Sequence, residues 1–170
     1  MTGLVPLLRL AVPDLHPVED PEDDGLLLDA RLGAHSYQLD PKGRLSLPAR
    51  FREALTDGVW LTIGQDGCLF AFPRVEWERR ADEVSASPLS DAEGRAYARL
   101  FFGSSDELRL DGQGRLTLPG RLREAVGIDK DVVVLGVRDR MEIWDRVSYE
   151  RYEATYTGAY QAGTLQPRRG

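Results

Sequence analysis

A stretch of sixteen residues occurs twice in this chain, and this repeat constrains the fold more than any other feature. Residues 39–54, LDPKGRLSLPARFREA, return as residues 110–125, LDGQGRLTLPGRLREA, and the two copies differ at five positions. A repeat of this kind indicates one structural unit used twice. Because a unit of about 70 residues buries little of its own surface, the two units are expected to share a core with each other or with another subunit.

The repeat predicts how the chain is divided. We expect an acidic, disordered N-terminal extension at 1–31, a first module at 33–84, a helical connector at 85–104, a second module at 105–156 and a C-terminal tail at 157–170. The extension carries seven acidic and two basic residues, so most of the chain's net charge of −6 belongs to it. A solvated tail, or a start codon placed too far upstream, explains it more simply than a functional acidic arm. Competition with nucleic acid for the basic turns is the weaker alternative.

Each copy predicts a turn between two short strands and then a short helix. Residues 35–39 and 44–47 are predicted to pair as a hairpin around Asp40-Pro41-Lys42-Gly43. Asp suits the first turn position, Pro presets φ, and Gly supplies a left-handed residue. Pro48 is expected at the first helical position, followed by a helix to residue 55. The second copy repeats this pattern with Asp111 and Gly114 and a helix over 119–126.

The rest of each module is predicted to be two apolar strands and a closing helix. The strands are expected at 59–63, 68–72, 132–135 and 141–144. The similarity resumes at an offset of 72 after the second strand, which predicts helices beginning near Arg74 and Arg146. The connector is predicted to be a helix that begins with a capping box at Ser90 and carries an apolar stripe of Tyr97, Leu100 and Phe101. The expected class is therefore α+β, rich in β structure.

The doubled pattern Asp-x-x-Gly-Arg-Leu-x-Leu-Pro-x-x-x-Arg, with RLFFG at 99–103 before the second copy, resembles the MraZ family of bacterial transcriptional regulators. It is more distantly similar to AbrB-type swapped-hairpin DNA-binding domains. The resemblance covers about residues 33–160. It implies two AbrB-like modules per chain with a double-split β-barrel fold, a ring-shaped homo-oligomer, and binding to repeats upstream of the division and cell-wall gene cluster. In that family the protein mostly represses its own operon.

Carried over by position, the resemblance and the local positive charge predict a DNA-binding site on the repeated turns. The candidate DNA-binding residues are Arg44, Lys42, Arg115, Arg50, Arg52 and Arg121, and the turn-forming residues are Asp40, Gly43, Asp111 and Gly114. An arginine beside a turn can bind a guanine edge or a phosphate. For Asp40 and Asp111 we favour a structural role, because a carboxylate repels phosphate. The helix arginines fit a solvated helix face about equally well, and Gln113 in place of Lys42 gives the first turn more positive charge.

Catalysis finds little support in the residues. His16 and His35 have no partners at zinc-ligand spacing, no phosphate-binding loop or nucleophile elbow occurs, and Cys68 lies in an apolar strand. We expect no enzyme activity, no cofactor, no metal and no membrane span, and a protein of the cytoplasm associated with the nucleoid. The alternative function is a protein-interaction or scaffold module, such as an antitoxin-like partner binder, which the near-neutral body favours.

Overall fold

The computed structural model describes residues 33–168, and the predicted acidic extension lies outside this range. The α+β class predicted from the sequence is confirmed. The elements are β1 (Gly33–Gln38), β2 (Arg44–Ser46), α1 (Ala49–Ala54), β3 (Val59–Ile63), β4 (Leu69–Pro73), α2 (Arg74–Ser85), α3 (Ala92–Gly103), β5 (Asp106–Leu108), β6 (Arg115–Thr117), α4 (Gly120–Ala125), β7 (Asp131–Gly136), β8 (Met141–Asp145) and α5 (Arg146–Gln161).

The two modules exchange their first strands within one antiparallel sheet of order β1-β7-β8-β4-β3-β5. Strand β1 of the first module pairs with β7 of the second, and β5 of the second pairs with β3 of the first. At the centre β4 lies beside β8, where Phe70 faces Glu142. Neither module completes its sheet alone, so the shared core expected from the small size of each unit is present.

The predicted pairing of residues 35–39 with 44–47 is wrong. The turn between them closes as expected, since Asp40 N–H donates to Arg44 O at 3.0 Å and Gly43 N–H donates to Asp40 O at 2.9 Å. Beyond the turn the strands diverge, and β2 pairs instead with its counterpart β6 in a separate two-stranded ribbon. Leu45 faces Leu116 in this ribbon and both side chains are fully buried. Pairing across the repeat covers both leucines at once, which a local hairpin would not do.

The sheet separates two apolar layers, and side chains alternate between them along each strand. Val132 and Ile143 belong to a large cluster that also holds the ribbon leucines, Phe51 of α1 and Leu122 of α4. Trp144 belongs to a smaller cluster on the other face, beside α5. Helices α2 and α3 pack on β4 and β3, and α5 packs on β7 and β8. The ribbon therefore rests directly on the core.

Several helix boundaries differ from those predicted. Pro48 and Pro119 precede their helices in an extended conformation, with ψ of 157° and 134°, so each is the N-cap and not the first helical residue. The connector helix is capped by Asp91, whose carboxylate accepts from Glu93 N–H at 3.1 Å; the predicted cap Ser90 lies one residue earlier. Helix α5 continues to Gln161, past residue 157, the first residue of the predicted tail.

The predicted apolar stripe of α3 is only partly packed. Phe101 stacks on Trp77 of α2 with ring centroids 5.0 Å apart, and Tyr97 stacks on Phe101 at 6.0 Å. Leu100, in contrast, is 75% exposed and lies on the outer side of the helix. One member of the stripe thus faces away from this chain's own core.

Candidate nucleic-acid interface

Each repeated turn is built around the carboxylate of its aspartate. Asp40 Oδ1 accepts from the backbone N–H groups of Lys42 and Arg44, both at 2.9 Å, and Oδ2 accepts from Arg44 Nε. Asp111 repeats the arrangement with Arg115, whose N–H and Nε donate at 3.0 and 2.7 Å. The backbone N–H of the arginine, followed by its side chain, holds the pKa of each carboxyl below its usual value, to about 2 for Asp111. The side-chain contacts of both aspartates thus lie within their own turns.

Glycine is required in both turns for two separate reasons. Gly43 and Gly114 have φ of +75° and +71°, a region that side chains disfavour. Each glycine also lies under an arginine of the other module. A Cβ on Gly43 would lie 3.0 Å from Arg123 Cζ of α4, and a Cβ on Gly114 would collide with Arg52 Cδ of α1. The helix of one module thereby covers the turn of the other.

Backbone hydrogen bonds connect the modules at the same places. Leu118 N–H donates to Gly43 O at 2.9 Å, and Leu47 N–H donates to Gly114 O at 3.3 Å. The two turns consequently lie at opposite ends of the β2–β6 ribbon, each fixed by the strand of the other copy.

The signature arginines lie on one face of this ribbon. Arg44 is directly opposite Thr117, and Arg115 is directly opposite Ser46. The buried leucines occupy the alternate positions, so all four of these side chains are on the outer face. Arg44 and Arg115 form a diagonal pair, for which an antiparallel ribbon sets a spacing of about 7–8 Å. Two arginines 71 residues apart in sequence are thereby placed side by side.

We call this face, with the two turns and the two covering arginines, the ribbon surface. Its members are Asp40, Lys42, Arg44, Ser46, Arg52, Asp111, Gln113, Arg115, Thr117 and Arg123. Five of them are cations and two are carboxylates, both of the latter bound to the signature arginines. Lys42 has no carboxylate within ion-pairing distance in the part of the chain that the structure describes. The surface is therefore locally cationic although the chain is acidic.

Arg50 and Arg121, the other predicted DNA-binding residues, contact protein. They occupy equivalent positions in α1 and α4, and each binds the first strand of its own module. Arg50 Nη2 contacts His35 Nε2 in β1, and Arg121 Nη2 pairs with Asp106 Oδ2 in β5 at 2.6 Å. Arg50 also lies over the Phe51 ring, 5.1 Å from its centroid. These contacts join α1 to β1 and α4 to β5, the two strands that pair with the other module.

Arg123 is the fourth short-helix arginine that the sequence suggests for phosphate contacts, beside Arg50, Arg52 and Arg121, although it is not among the main DNA-binding candidates. It donates from Nε to Leu118 O at 3.2 Å and lies over Gly43. It is equivalent to Arg52 at the repeat offset of 71 residues. Its nearness to the first turn could not be foreseen, because that contact depends on the exchange between modules.

We also searched the described residues for metal sites, reactive cysteines and membrane-spanning helices. Between residues 33 and 168 no group of three or more His, Cys, Asp or Glu side chains is arranged to hold a metal ion. Cys68 is fully buried, and burial raises the pKa of its thiol well above the usual value, as in an unreactive core cysteine. Over the same residues no helix has both the length and the apolar character needed to cross a bilayer.

The fold and the site define a class: an α+β protein of two fused, strand-exchanging modules that together present one cationic β-ribbon. Comparison with known sequences identifies the family. The family described as "MraZ protein, putative antitoxin-like" matches residues 31–100 and, a second time, residues 101–162. The chain therefore belongs to the MraZ family, as the doubled motif indicates.

Relatives within the family are similar over most of their length. A protein of Salinispora arenicola (strain CNS-205) named "Transcriptional regulator MraZ" is 50% identical over 123 residues, which cover 72% of this chain and 87% of the relative. A protein of Heliobacterium modesticaldum (strain ATCC 51547 / Ice1) with the same name is 41% identical over 130 residues, covering 76% and 91%.

Proposed function

We propose that this protein is a transcriptional regulator that binds double-stranded DNA sequence-specifically through the ribbon surface. It represses its own division and cell-wall gene cluster by binding tandem upstream repeats as a ring-shaped homo-oligomer, in the cytoplasm at the nucleoid. The relatives' printed name supports the regulatory role. The observation that carries the DNA-binding proposal is the placement of Arg44 and Arg115 on one exposed face of a two-stranded antiparallel ribbon.

A two-stranded antiparallel ribbon is narrow enough to enter the major groove of DNA. The major groove of B-DNA, about 12 Å wide, admits a two-stranded β-ribbon. Arginine recognises guanine through two parallel hydrogen bonds to O6 and N7 and also pairs with phosphate. Asp40 and Asp111 hold Nε of their arginines, and among residues 33–168 no group binds the terminal nitrogens of either guanidinium, which are therefore available to DNA. Lys42, Arg52 and Arg123 then supply phosphate contacts along the edges.

The exchange of β1 and β5 also supports AbrB-like, swapped-hairpin modules of a double-split barrel, with boundaries at 33–84 and 105–156. In such an architecture the DNA-binding ribbon forms only when two modules meet. Here the two are fused in one chain, so each protomer carries one complete ribbon surface.

One ribbon surface binds DNA weakly, and this is the physical reason for assembly. Each phosphate neutralised contributes about −0.9 to the slope of log affinity against log salt, so five cations give limited affinity at physiological salt. Linking several ribbon surfaces across tandem repeats raises avidity by about 10²–10⁴ without new contacts.

Charge reversal of the signature arginines tests the proposal. We expect Arg44→Glu and Arg115→Glu each to weaken binding to the protein's own upstream DNA by about five- to 150-fold, because a bidentate base contact contributes about 1–3 kcal/mol. Binding is measured by fluorescence anisotropy across a salt series, with the mass in solution confirmed for each variant. Arg109→Glu is the matched control, since Arg109 is an exposed arginine outside the ribbon surface. Unchanged affinity of both variants at unchanged oligomer size would contradict the proposal.

A second candidate function is the protein-interaction or scaffold module considered above. It is favoured by one observation: both signature arginines are already paired with an aspartate of their own turn. The same salt series separates the two functions, since a ribbon that binds protein alone gives absent or salt-insensitive binding to DNA.

A further inference from the structure

The two short helices are joined to their strands by contacts of different charge. In the second module Arg121 Nη2 pairs with Asp106 Oδ2 at 2.6 Å, so the chain supplies both a cation and its counter-ion. At the repeat offset of 71 residues, the same two positions of the first module hold Arg50 and His35. Arg50 Nη2 contacts His35 Nε2, so an imidazole lies where the second module has a carboxylate. The first module thus has the cation of this pair without the anion.

No other carboxylate of the described chain takes the place of the missing anion. Among residues 33–168 no Asp or Glu side chain lies within ion-pairing distance of Arg50 or His35. Within the same residues Nε of Arg50 is buried and has no hydrogen-bond partner. Buried donors without a partner are rare in native proteins, and a bound ion or water is one reason for them. The charge of Arg50 is therefore not compensated by residues 33–168.

The two side chains lie at one edge of the sheet, where a ligand can approach them. Strand β1 comes first in the sheet order, and both His35 and Arg50 are partly exposed. A Cβ on Gly33 would lie 3.2 Å from His35 Nε2, so the glycine leaves space beside this nitrogen. Arg50 Cζ lies over the Phe51 ring, 5.1 Å from its centroid, so the ring covers one side of the guanidinium. A ligand therefore meets Arg50 through its N–H groups.

The donors at this position fit a phosphate group. A guanidinium is a planar fork of N–H donors that matches two phosphate oxygens and accepts no hydrogen bond. An imidazole presents an N–H donor at Nε2 in one neutral tautomer and in its protonated form. A phosphate group has enough oxygens to bind the guanidinium with two and the imidazole with a third, whereas a carboxylate has only two. A cationic ligand would be repelled by Arg50.

We propose that Arg50 and His35 form a binding site for a phosphate group. Two oxygens of the anion accept hydrogen bonds from Arg50, and a third accepts from His35 Nε2–H. The anion supplies the counter-charge that Asp106 supplies to Arg121 in the second module. The phosphate group belongs either to inorganic phosphate or to a nucleic-acid backbone. Because neither residue is a member of the ribbon surface, the site does not depend on the proposed DNA-binding function.

Titration of the full-length protein with sodium phosphate, without DNA, tests the site. Two-dimensional NMR follows the imidazole of His35 and the Nε–H of Arg50, and sodium chloride at matched ionic strength is the control for screening. Saturable shifts are expected at both side chains, while Nε–H of Arg121 stays unchanged because Asp106 already pairs with this arginine. Shifts that are equal in phosphate and chloride would overturn the proposal, and a water molecule would then complete Arg50.

Three variants show whether the two residues form the site. Arg50→Gln is expected to weaken phosphate binding about ten- to 150-fold, the effect of losing a charged hydrogen-bonding partner. His35→Asp is expected to abolish saturable binding, because the new carboxylate pairs with Arg50 and repels phosphate.

Arg109→Gln is the matched control, since Arg109 is exposed and lies outside this site, and it should bind phosphate as the wild type does. Circular dichroism confirms that each variant is folded. Wild-type phosphate binding by folded Arg50→Gln or folded His35→Asp would overturn the inference.

DNA binding by His35→Asp identifies the source of the phosphate group. If the site binds the DNA backbone, the salt slope should fall by about 0.9 in this variant, and DNA should displace inorganic phosphate from the wild type. If the site binds a free anion, the slope should be unchanged and the phosphate-induced shifts should persist in the DNA complex. Either result supports the site, whereas a wild type without saturable phosphate binding overturns it whatever its affinity for DNA. Arg44→Glu, in contrast, tests the ribbon surface alone.

Discussion

The two repeated turns have the same hydrogen-bond geometry and different charge. In both, the aspartate Oδ1 accepts two backbone N–H bonds of 2.9–3.0 Å, and the glycine has φ above +70°. The positions between them differ: Pro41-Lys42 in the first turn and Gly112-Gln113 in the second, all exposed. The aspartate and the glycine, which supply the hydrogen bonds and the positive φ of the turn, are thus common to both copies, while the two exposed positions between them have diverged. The comparison thus distinguishes the residues that fold the turn from the residues that determine its charge.

The largest expected effect comes from the leucines beneath the ribbon. Leu45→Ala and Leu116→Ala each remove a fully buried side chain, and each is expected to lower the free energy of unfolding by about 2–5 kcal/mol. Because the leucines face each other, either substitution should loosen both turns. Chemical denaturation measures the loss of stability.

Amide hydrogen exchange at both turns shows whether the modules respond together. Leu165→Ala is the control, since Leu165 is exposed near the C-terminal end and should change little. If Leu45→Ala raised exchange in the first turn alone, the two modules would be independent units despite the shared ribbon.

The turn glycines come next, and the two copies are expected to respond unequally. Gly43→Ala and Gly114→Ala both place a side chain at positive φ, which costs about 1–2 kcal/mol. At Gly114 the new Cβ also collides with Arg52, whereas at Gly43 it only approaches the end of Arg123. Thermal unfolding should therefore show Gly114→Ala as the more destabilised variant.

The collision at Gly114 can be tested separately from the backbone strain. In an Arg52→Ala background the side chain above Gly114 is removed, and the excess cost of Gly114→Ala over Gly43→Ala should disappear. An excess that persists in that background would mean that the backbone, and not Arg52, distinguishes the two turns.

The aspartates give the turns a defined response to acid. The pKa of Asp111 is about 2 in the folded chain, below its ordinary value of 3.8, chiefly because the backbone N–H of Arg115 donates to it. A carboxyl whose pKa is lowered by folding stabilises the fold above the ordinary pKa, and this contribution disappears as the pH falls through the folded pKa. The second turn should therefore remain closed at pH 3 and open near pH 2.

Carbon chemical shifts of the two turn carboxyls, followed by NMR against pH, check this response. Arg115→Met removes the side-chain donor and its charge and keeps the backbone donor, so the pKa of Asp111 should rise in this variant and stay below 3.8. A wild-type midpoint at or above 3.8 would show that the carboxylate does not hold the turn.

The local chemistry of the turns could be predicted from the sequence, whereas the strand pairing could not. Asp40 and Gly43 act within a few residues of their own positions, so their roles follow from residue type and spacing. The partner of β1 is β7, about 100 residues away, and that choice depends on which arrangement buries the leucines of both copies. The hairpin predicted over 35–47 used only local information and was wrong for that reason.

In the candidate site, too, residue type could be interpreted from the sequence, whereas the spatial arrangement could not. The repeat predicts that Arg44 and Arg115 have equivalent roles, but their placement on one ribbon face requires the pairing of β2 with β6. Arg50 and Arg121 looked equivalent to any exposed helix arginine in the sequence, and their contacts with His35 and Asp106 depend on the tertiary fold.

Exchanging the solvent-facing turn residues tests the charge difference without changing the fold. Lys42→Gln should reduce the salt slope of DNA binding by about 0.9, and Gln113→Lys should increase it by the same amount, because each changes one phosphate contact. Between 50 and 200 mM salt this corresponds to about a threefold change in relative affinity. The doubly exchanged variant should match the wild type in slope, and thermal unfolding should be unchanged in all three. If only Lys42→Gln altered the slope, the second turn would not reach DNA.

The smallest expected effect concerns the contacts of the short helices. Arg121 pairs with the carboxylate Asp106, whereas the equivalent Arg50 contacts the imidazole of His35. His35→Asp would give the first module the ion pair of the second. The gain is expected to be a few tenths of a kcal/mol, because surface ion pairs contribute about 0–1 kcal/mol, and to shrink at high salt. A double-mutant cycle with Arg50→Gln isolates it, since aspartate in a strand carries a cost of its own. A coupling free energy of zero between positions 35 and 50 at low salt would mean that packing of Phe51 alone holds the first helix. The two helix contacts would then be equivalent in position and not in the stability that they contribute.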